Sequence, residues 1–212
     1  MVADTVLFDL DGTLWNSVSG ISIAWQRVID RYPYLRPPVT DDEIADCMGF
    51  SMDDIGEKIF PMVPKPQRMA LLDECIKEEH AYLRKAGGRL YDGVRGTLDI
   101  LRKTKKLAII SNCESGYIEC FLEITGLAAC FLDFECIGDS GMDKGDNILA
   151  VIDRLGSKNA VYVGDMIKDQ LAAEYAGIPF IFASYGFGKG KLRPFRWNDR
   201  IESFGELLDI VE

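Results

Sequence analysis

Hydrophobic residues follow three successive patterns along the chain, and the first is a short apolar run at residues 6–8. This run ends in Asp9 and Asp11, two acids one residue apart, and Gly12 then allows the chain to turn. An apolar run that stops at polar residues and a glycine is typical of a buried β-strand. The pattern therefore predicts a strand that delivers both carboxylates at its carboxyl end, where α/β sheets bind their ligands.

The second pattern is helical and covers residues 17–88. Apolar residues recur every three or four positions at about 18–32 and 66–86, which predicts two amphipathic helices. Two capping pairs predict short helices between them: Thr40 with Glu43 and, in a looser form, Ser51 with Asp54. Gly87 and Gly88 then interrupt the helical pattern. We interpret this segment as an all-helical domain.

The third pattern is an alternation of apolar strands with amphipathic helices. Strands are predicted at about 107–110, 131–137, 160–163 and 179–183. Helices are predicted at about 94–103, 116–124, 144–155, 171–176 and after Ser203, where Ser203 and Glu206 form a capping box. Such alternation implies βαβ units and a parallel sheet. The predicted fold class is α/β, with a Rossmann-like core (1–16 and 89–212) and a helical cap (17–88) inserted after the first strand.

Polar residues with useful chemistry follow three of the predicted strands. They are Asp9 and Asp11, then Ser111 and Asn112, then Asp165. Lys144 begins a predicted helix, where free backbone N–H groups already favour an anion. Because the carboxyl ends of parallel strands share one edge of the sheet, these groups could meet there. A lysine, a serine hydroxyl and backbone amides could then bind the oxygens of a phosphate group.

The acids of this group create an electrostatic conflict that a cation would resolve. Asp9, Asp11, Asp165 and Asp169 cannot all stay ionised in one pocket, because mutual repulsion would raise their pKa values. A set of carboxylate oxygens favours a hard divalent ion. Magnesium keeps several waters and contacts phosphate, so Mg²⁺ is the expected cofactor.

Each motif also has a purely structural interpretation when it is taken alone. The Asp-x-Asp-Gly segment could be a simple turn, and Asp169 could only cap a helix. A calcium loop that starts at Asp9 would need glutamate at its twelfth position, but Gly20 occupies it. Residues 185–191 are rich in glycine but lack the Walker spacing, so we expect a flexible closing loop near the site.

Composition narrows the function further. The 212 residues carry a net charge of −10, which argues against nucleic acid or an anionic membrane as the main partner. Residues 1–5 show neither a basic leader nor a long apolar segment, so we expect a cytoplasmic protein. The six cysteines form no C-x-x-C pair and suit reduced core thiols. The single histidine, His80, stands in a charged run and is predicted to face solvent on a helix.

Four ordered motifs together resemble the haloacid dehalogenase superfamily of phosphohydrolases. They are the segment 9–13 (Asp-Leu-Asp-Gly-Thr), Ser111 with Asn112, Lys144, and Asp165 with Asp169. The order and spacing of the four motifs agree with this family, and the resemblance covers essentially the whole chain. The position of the helical insert, with Gly49 in a loop between its short helices, is similar to the phosphoglycolate phosphatase and β-phosphoglucomutase branch.

The resemblance implies a role for each matching residue. Asp9 would be the nucleophile that forms an aspartyl-phosphate, and Asp11 would be the general acid and base. Asp9, the backbone carbonyl of Asp11, and Asp165 would hold Mg²⁺, supported by Asp169. Phosphate would be bound by Thr13, Ser111, Asn112 and Lys144.

The resemblance implies a phosphatase of small phosphorylated metabolites, such as phosphoglycolate or a sugar phosphate, that acts as a monomer or homodimer. Gly49, Phe50 and Ser51 of the helical cap are the candidate specificity residues. A phosphomutase is the main alternative, although the loop at 50–52 lacks the arginine that would grip a second phosphate. A non-catalytic protein that senses metal or phosphate is the remaining alternative.

Overall fold

A parallel sheet forms the centre of the computed structural model, which describes residues 2–188 and 199–211. The described strands are β1 (Thr5–Phe8), β2 (Trp15–Asn16), β3 (Arg89–Leu90), β4 (Lys106–Ser111), β5 (Asp133–Cys136), β6 (Ala160–Gly164), β7 (Phe180–Ala183) and β8 (Asp199–Ile201). Six of them pair in parallel in the order β5-β4-β1-β6-β7-β8. The predicted α/β class with a parallel sheet is therefore confirmed.

Strand β1 lies at the centre of this sheet, between β4 and β6. Phe8 at its end is level with Ile109 of β4 and Val163 of β6. All residues of β1 and β6 are buried, because helices cover both faces of the sheet. This burial explains why both strands are continuous apolar runs. The register brings the residues after β1 and β6 to the same edge of the sheet.

The chain between β1 and β3 is helical, as its pattern predicts. It contains α1 (Val18–Ile29), α2 (Asp41–Ala45), α3 (Met52–Ile59) and α4 (Lys65–Ala86). Thr40 and Glu43 form the predicted capping box of α2, and Ser51 accepts the Asp54 N–H at the start of α3. Helices α1 and α4 pack together and share a hydrogen bond from Trp25 to Glu79.

The two short strands β2 and β3 pair where this helical segment leaves and rejoins the sheet. Trp15 lies opposite Leu90 in this antiparallel pair. The indole of Trp15 is fully buried and packs edge-on against Phe121. Gly88 lies so close to this indole that a Cβ atom there would approach it to 2.6 Å. Both ends of the helical segment are thus held at one point beside the sheet.

The remaining helices pack on the sheet. They are α5 (Val94–Leu101), α6 (Tyr117–Thr125), α7 (Ile137–Ser140), α8 (Lys144–Leu155), α9 (Ile167–Ala176) and α10 (Leu207–Ile210). Helix α9 begins four residues earlier than predicted, because the Asp169 carboxylate accepts the Met166 N–H. After Ser203 the chain forms a 3₁₀ turn before α10. The predicted pair Ser203 and Glu206 is hydrogen-bonded, but the Ser203 hydroxyl donates to the Glu206 carboxylate and does not cap the helix, so the capping box is incomplete.

All six cysteine thiols are free, and five of them are buried. Within residues 2–188 and 199–211, no helix is both long and apolar enough to cross a membrane.

Leu72→Ala is expected to destabilise the protein strongly. Leu72 is fully buried on α4, and its side chain fills the space above Gly56 of α3. Truncation of such a leucine leaves a cavity and costs about 2–5 kcal/mol of unfolding free energy. Urea unfolding followed by circular dichroism measures this change. Leu171→Ala, at a position that is 47% exposed, is the matched control and should change the value by less than ~0.5 kcal/mol.

Candidate active site

Residues from three adjacent strands meet at the carboxyl edge of the sheet. Asp9 directly follows β1, Ser111 ends β4, and Asp165 directly follows β6. The Asp9 N–H still donates to the Val163 carbonyl, 2.9 Å away, so Asp9 continues the ladder between β1 and β6. The sheet order β4-β1-β6 therefore brings together side chains that lie far apart in the sequence.

Three buried carboxylates form a compact cluster at this edge. One oxygen each from Asp9, Asp165 and Asp169 lies within 4.8 Å of the others. Burial, reinforced by the nearby Asp169, raises the pKa of Asp9 to about 7. Burial and the two neighbouring carboxylates also raise the pKa of Asp165 well above its ordinary value. The cluster thus holds more negative charge than its surroundings stabilise, which favours a cation.

Lys144, the first residue of α8, supplies part of that positive charge. Its buried Nζ donates to Asp9 Oδ1 at 2.7 Å and to Asp169 Oδ1 at 2.6 Å. Burial opposes the ammonium charge, but Asp169 and Asp9 outweigh it and hold the lysine pKa well above its usual value. When all three carboxylates are ionised, one ammonium leaves a net charge of minus two. Such a set of hard oxygen donors fits a divalent cation such as Mg²⁺.

Glycines allow the backbone to approach Asp165 closely. Gly12 has a φ of +88°, and a Cβ atom there would overlap the Asp165 carboxylate. Gly186 is similarly close to Asp165, and the Phe187 N–H donates to Asp165 Oδ2 at 2.6 Å. Residues 185–188 of the predicted closing loop therefore surround Asp165, whereas residues 189–191 lie outside the described part of the chain.

The Asp11 side chain has different partners from Asp9. Its Oδ1 accepts hydrogen bonds from the Ser17 hydroxyl at 2.5 Å and the Tyr117 hydroxyl at 2.9 Å. Burial raises the pKa of Asp11 to about 6, although both hydroxyls oppose the rise. A carboxyl group with a pKa near neutrality can donate and accept a proton, as a general acid–base requires. The side chain of Asp11 lies outside the carboxylate cluster, so its predicted metal contact through the backbone carbonyl stays a prediction.

The predicted phosphate-binding residues lie around the same edge. Thr13 is fully buried, and its hydroxyl donates to Asp165 Oδ1 at 3.4 Å. Ser111 is buried, and its Oγ accepts the Cys113 N–H. The Asn112 side chain donates to the Gly49 carbonyl at 3.1 Å. Asn112 therefore links the sheet edge to the helical segment.

A cavity of about 90 Å³ lies between the sheet edge and the helical segment. Asp11, Ser111 and Tyr117 line it from the sheet side. Gly49 and Phe50, two of the predicted specificity residues, line it from the helical side. Ser51, the third, is absent from this lining and caps α3 instead. The space beside Asp11 can hold a small molecule or group.

Sequence reasoning missed two residues of α4 that line this cavity. Glu79 is buried and accepts the Trp25 indole N–H at 2.7 Å. The prediction that His80 faces solvent is wrong, because its ring is partly buried against Tyr117. The spacing of residues along α4 did contain a signal for Glu79. Glu79 lies four residues from Cys75 and four from Leu83, so it occupies a position of the apolar face.

Comparison with known proteins agrees with this geometry. A sequence model of the haloacid dehalogenase-like hydrolases matches residues 6–183. A phosphoglycolate phosphatase from Vibrio parahaemolyticus is 27% identical and aligns over 97% of this chain and 95% of its own. The phosphoglycolate phosphatase of Escherichia coli K12 is 24% identical and aligns over 96% of this chain and 90% of its own.

Solved structures show the same fold. A haloacid dehalogenase-like hydrolase from Bacteroides fragilis superimposes with a TM-score of 0.84 at 25% identity, over 96% of this chain and 99% of its own. A hydrolase of the haloacid dehalogenase-like family from Streptococcus pneumoniae gives a TM-score of 0.85 at 20% identity, with 98% and 97% covered.

Glu79→Gln is expected to gain stability relative to the unchanged protein as pH rises from 5 to 8. Burial, opposed by the Trp25 hydrogen bond and supported by Asp11 and Glu114, raises the pKa of Glu79 from 4.5 to about 8. Between these values the folded state binds the extra proton, so stability falls as pH rises. Glutamine keeps an acceptor for Trp25 but does not titrate.

Denaturant unfolding of both proteins across this pH range measures the difference. Glu78→Gln, a partly exposed position that pairs with Arg27, is the control for loss of a carboxylate from α4. If the difference in unfolding free energy between Glu79→Gln and the unchanged protein stays constant with pH, the raised pKa of Glu79 is contradicted.

Proposed function

Because the chain belongs to the haloacid dehalogenase-like hydrolase family, we propose that it is a phosphatase that hydrolyses a small phosphorylated metabolite through an aspartyl-phosphate on Asp9. The observation that supports this most is the separation of the two acids of the first motif. Asp9 bonds Lys144 inside the carboxylate cluster, whereas Asp11 bonds Ser17 and Tyr117 beside the cavity. The two carboxylates therefore have environments suited to two different roles.

The carboxylate cluster is the proposed Mg²⁺ site. Asp9, Asp165 and the backbone carbonyl of Asp11 would hold the ion, and Asp169 would support it. The bound ion supplies positive charge that lets an anionic phosphate approach buried carboxylates. Lys144 would act with it, because its ammonium group already lies against Asp9.

In the first step, a carboxylate oxygen of Asp9 attacks phosphorus. An oxygen–phosphorus bond forms as the bond to the leaving oxygen breaks, and the Asp11 carboxylic acid gives its proton to that oxygen. Thr13, Ser111 and the backbone N–H of Asn112 would donate hydrogen bonds to the transferring group.

In the second step, water attacks the phosphorus of the aspartyl-phosphate. Asp11, now a carboxylate, takes a proton from this water. The bond between phosphorus and the Asp9 oxygen breaks, which releases inorganic phosphate and restores the Asp9 carboxylate. Ser17 and Tyr117 hold the Asp11 carboxyl group in one orientation for both proton transfers.

The structure gives less support to a phosphomutase. A mutase must also bind the second phosphate of a sugar bisphosphate, and a lysine or arginine serves that purpose best. Among the described residues that line the cavity, none is a lysine or an arginine. Product analysis after incubation with hexose phosphates separates inorganic phosphate from an isomerised sugar phosphate.

Asp9→Asn is expected to abolish phosphate release. Asparagine has nearly the same size but cannot form the aspartyl-phosphate, so the rate should fall by about 10³-fold or more. Phosphate release from p-nitrophenyl phosphate and from acetyl phosphate, with Mg²⁺ present, measures the loss. Asp92→Asn removes a carboxylate that is 93% exposed and should leave the rate unchanged. Turnover by Asp9→Asn at the normal rate would contradict the role of Asp9.

Removal of divalent metal with a chelator is expected to stop the reaction, and added Mg²⁺ should restore it. Mg²⁺ should also raise the melting temperature, because a ligand that binds only the folded state stabilises it. Asp165→Asn should weaken this stabilisation, since it removes one carboxylate of the cluster. Full activity after exhaustive chelation, or an unchanged melting temperature with Mg²⁺, would contradict the metal site.

A further inference from the structure

The charges around the cavity beside Asp11 constrain the leaving group of the proposed reaction. Four acids line this cavity: Asp9, Asp11 and Glu114 from the sheet side, and Glu79 from α4. The described lining includes no lysine and no arginine. Lys168 and Lys58 lie over the Phe50 ring, 4.3 and 5.6 Å from its centroid, and both are absent from the lining.

Glu79 is arranged to receive a hydrogen bond from a bound molecule. Its Oε2 accepts the Trp25 indole N–H at 2.7 Å, which fixes the orientation of the carboxyl group. Within residues 2–188 and 199–211, nothing donates to the other oxygen, Oε1. The residue is only 8% exposed and lines the cavity, so a molecule in the cavity is the natural partner for that oxygen.

His80 adds one neutral polar group to the same wall. Its Nε2 is buried and lacks a hydrogen-bond partner among the described residues. Burial and the nearby Arg84 lower the pKa of His80, which favours the neutral ring. A neutral imidazole can exchange a hydrogen bond with a hydroxyl group, but it does not balance the charge of a buried carboxylate.

From these contacts we infer that the leaving alcohol is small, carries a hydroxyl or ammonium group that donates to Glu79, and carries no carboxylate. This inference rests on the proposed phosphatase function and specifies its substrate class. A carboxylate on the leaving group would have to enter a mostly apolar cavity whose described lining offers it no lysine or arginine, which is costly. An ammonium group would gain from the same acids, and a hydroxyl group would pair with Glu79.

The cavity has room for more than a single water. Its volume of about 90 Å³ is several times the roughly 10–15 Å³ that one water needs. Two-carbon alcohols therefore fit it. Although relatives bear the name phosphoglycolate phosphatase, the cavity favours two-carbon alcohols of a different charge from glycolate.

Four esters with the same two-carbon skeleton test the inference directly. They are 2-hydroxyethyl phosphate, 2-aminoethyl phosphate, ethyl phosphate and 2-phosphoglycolate. With Mg²⁺ present, kcat/KM for the hydroxyl or amino ester is expected to exceed the values for ethyl phosphate and 2-phosphoglycolate by about tenfold or more. The hydroxyl and amino esters distinguish the two donors, and either preference supports the inference.

Glu79→Gln tests whether the carboxyl group makes this choice. Glutamine preserves an acceptor for Trp25 but removes a carboxyl group that can ionise beside a bound donor, and it places an amide near the substrate. The ratio of kcat/KM for the preferred ester to that for 2-phosphoglycolate should fall by about tenfold. A purely structural change would lower kcat/KM for all four esters equally. Glu78→Gln should leave the ratio unchanged, and thermal unfolding confirms that each variant is folded.

Failure of the inference can be distinguished from failure of the proposed function. No phosphate release from any ester, including acetyl phosphate and p-nitrophenyl phosphate, would overturn the phosphatase itself. If phosphate is released from these general substrates, three results would overturn only the inference. They are a preference for 2-phosphoglycolate, equal kcat/KM for all four esters, and no turnover of any of the four. An unchanged ratio in Glu79→Gln would overturn the role of Glu79.

Discussion

The two ion pairs of Lys144 are the interactions on which the proposed site depends. They hold Asp9 and Asp169 together at the end of the central strand, in a place where three carboxylates are buried. One buried ammonium cannot neutralise three carboxylates, so the site retains negative charge. This deficit of positive charge favours the binding of a divalent cation. The fold creates this arrangement of charges by placing the carboxyl ends of β1 and β6 and the first turn of α8 side by side.

The helical segment adds a second, different environment. The Asp11 side chain lies outside the carboxylate cluster and bonds Ser17 and Tyr117, so in the proposed reaction one short motif would serve both sides of the phosphate. Beyond Asp11 the walls are mostly apolar, with Glu79 held by Trp25. In the proposed reaction, the sheet edge would provide the phosphoryl-transfer chemistry, whereas the side chains of α1 and α4 would select the alcohol.

Local pattern and a general rule of topology were enough to predict the sheet and the residues at its edge. Apolar runs marked the strands, and parallel strands place their carboxyl ends together, so Asp9, Ser111 and Asp165 could be grouped before the structure was known. Glu79 and Tyr117 needed more than this rule. Helical spacing places Glu79 on the apolar face of α4, but it does not show that α4 and α6 pack around one cavity.

The most direct measurement is to trap the covalent intermediate. Asp11→Asn slows the hydrolysis step, because the general base is missing, so a rapid acid quench after addition of acetyl phosphate and Mg²⁺ should capture the aspartyl-phosphate. Acetyl phosphate has a good leaving group and needs little help from an acid in the first step. Peptide mass spectrometry should show the mass of one phosphoryl group on Asp9. Phosphate release without any phosphorylation of Asp9, or phosphorylation of another residue, would contradict the account.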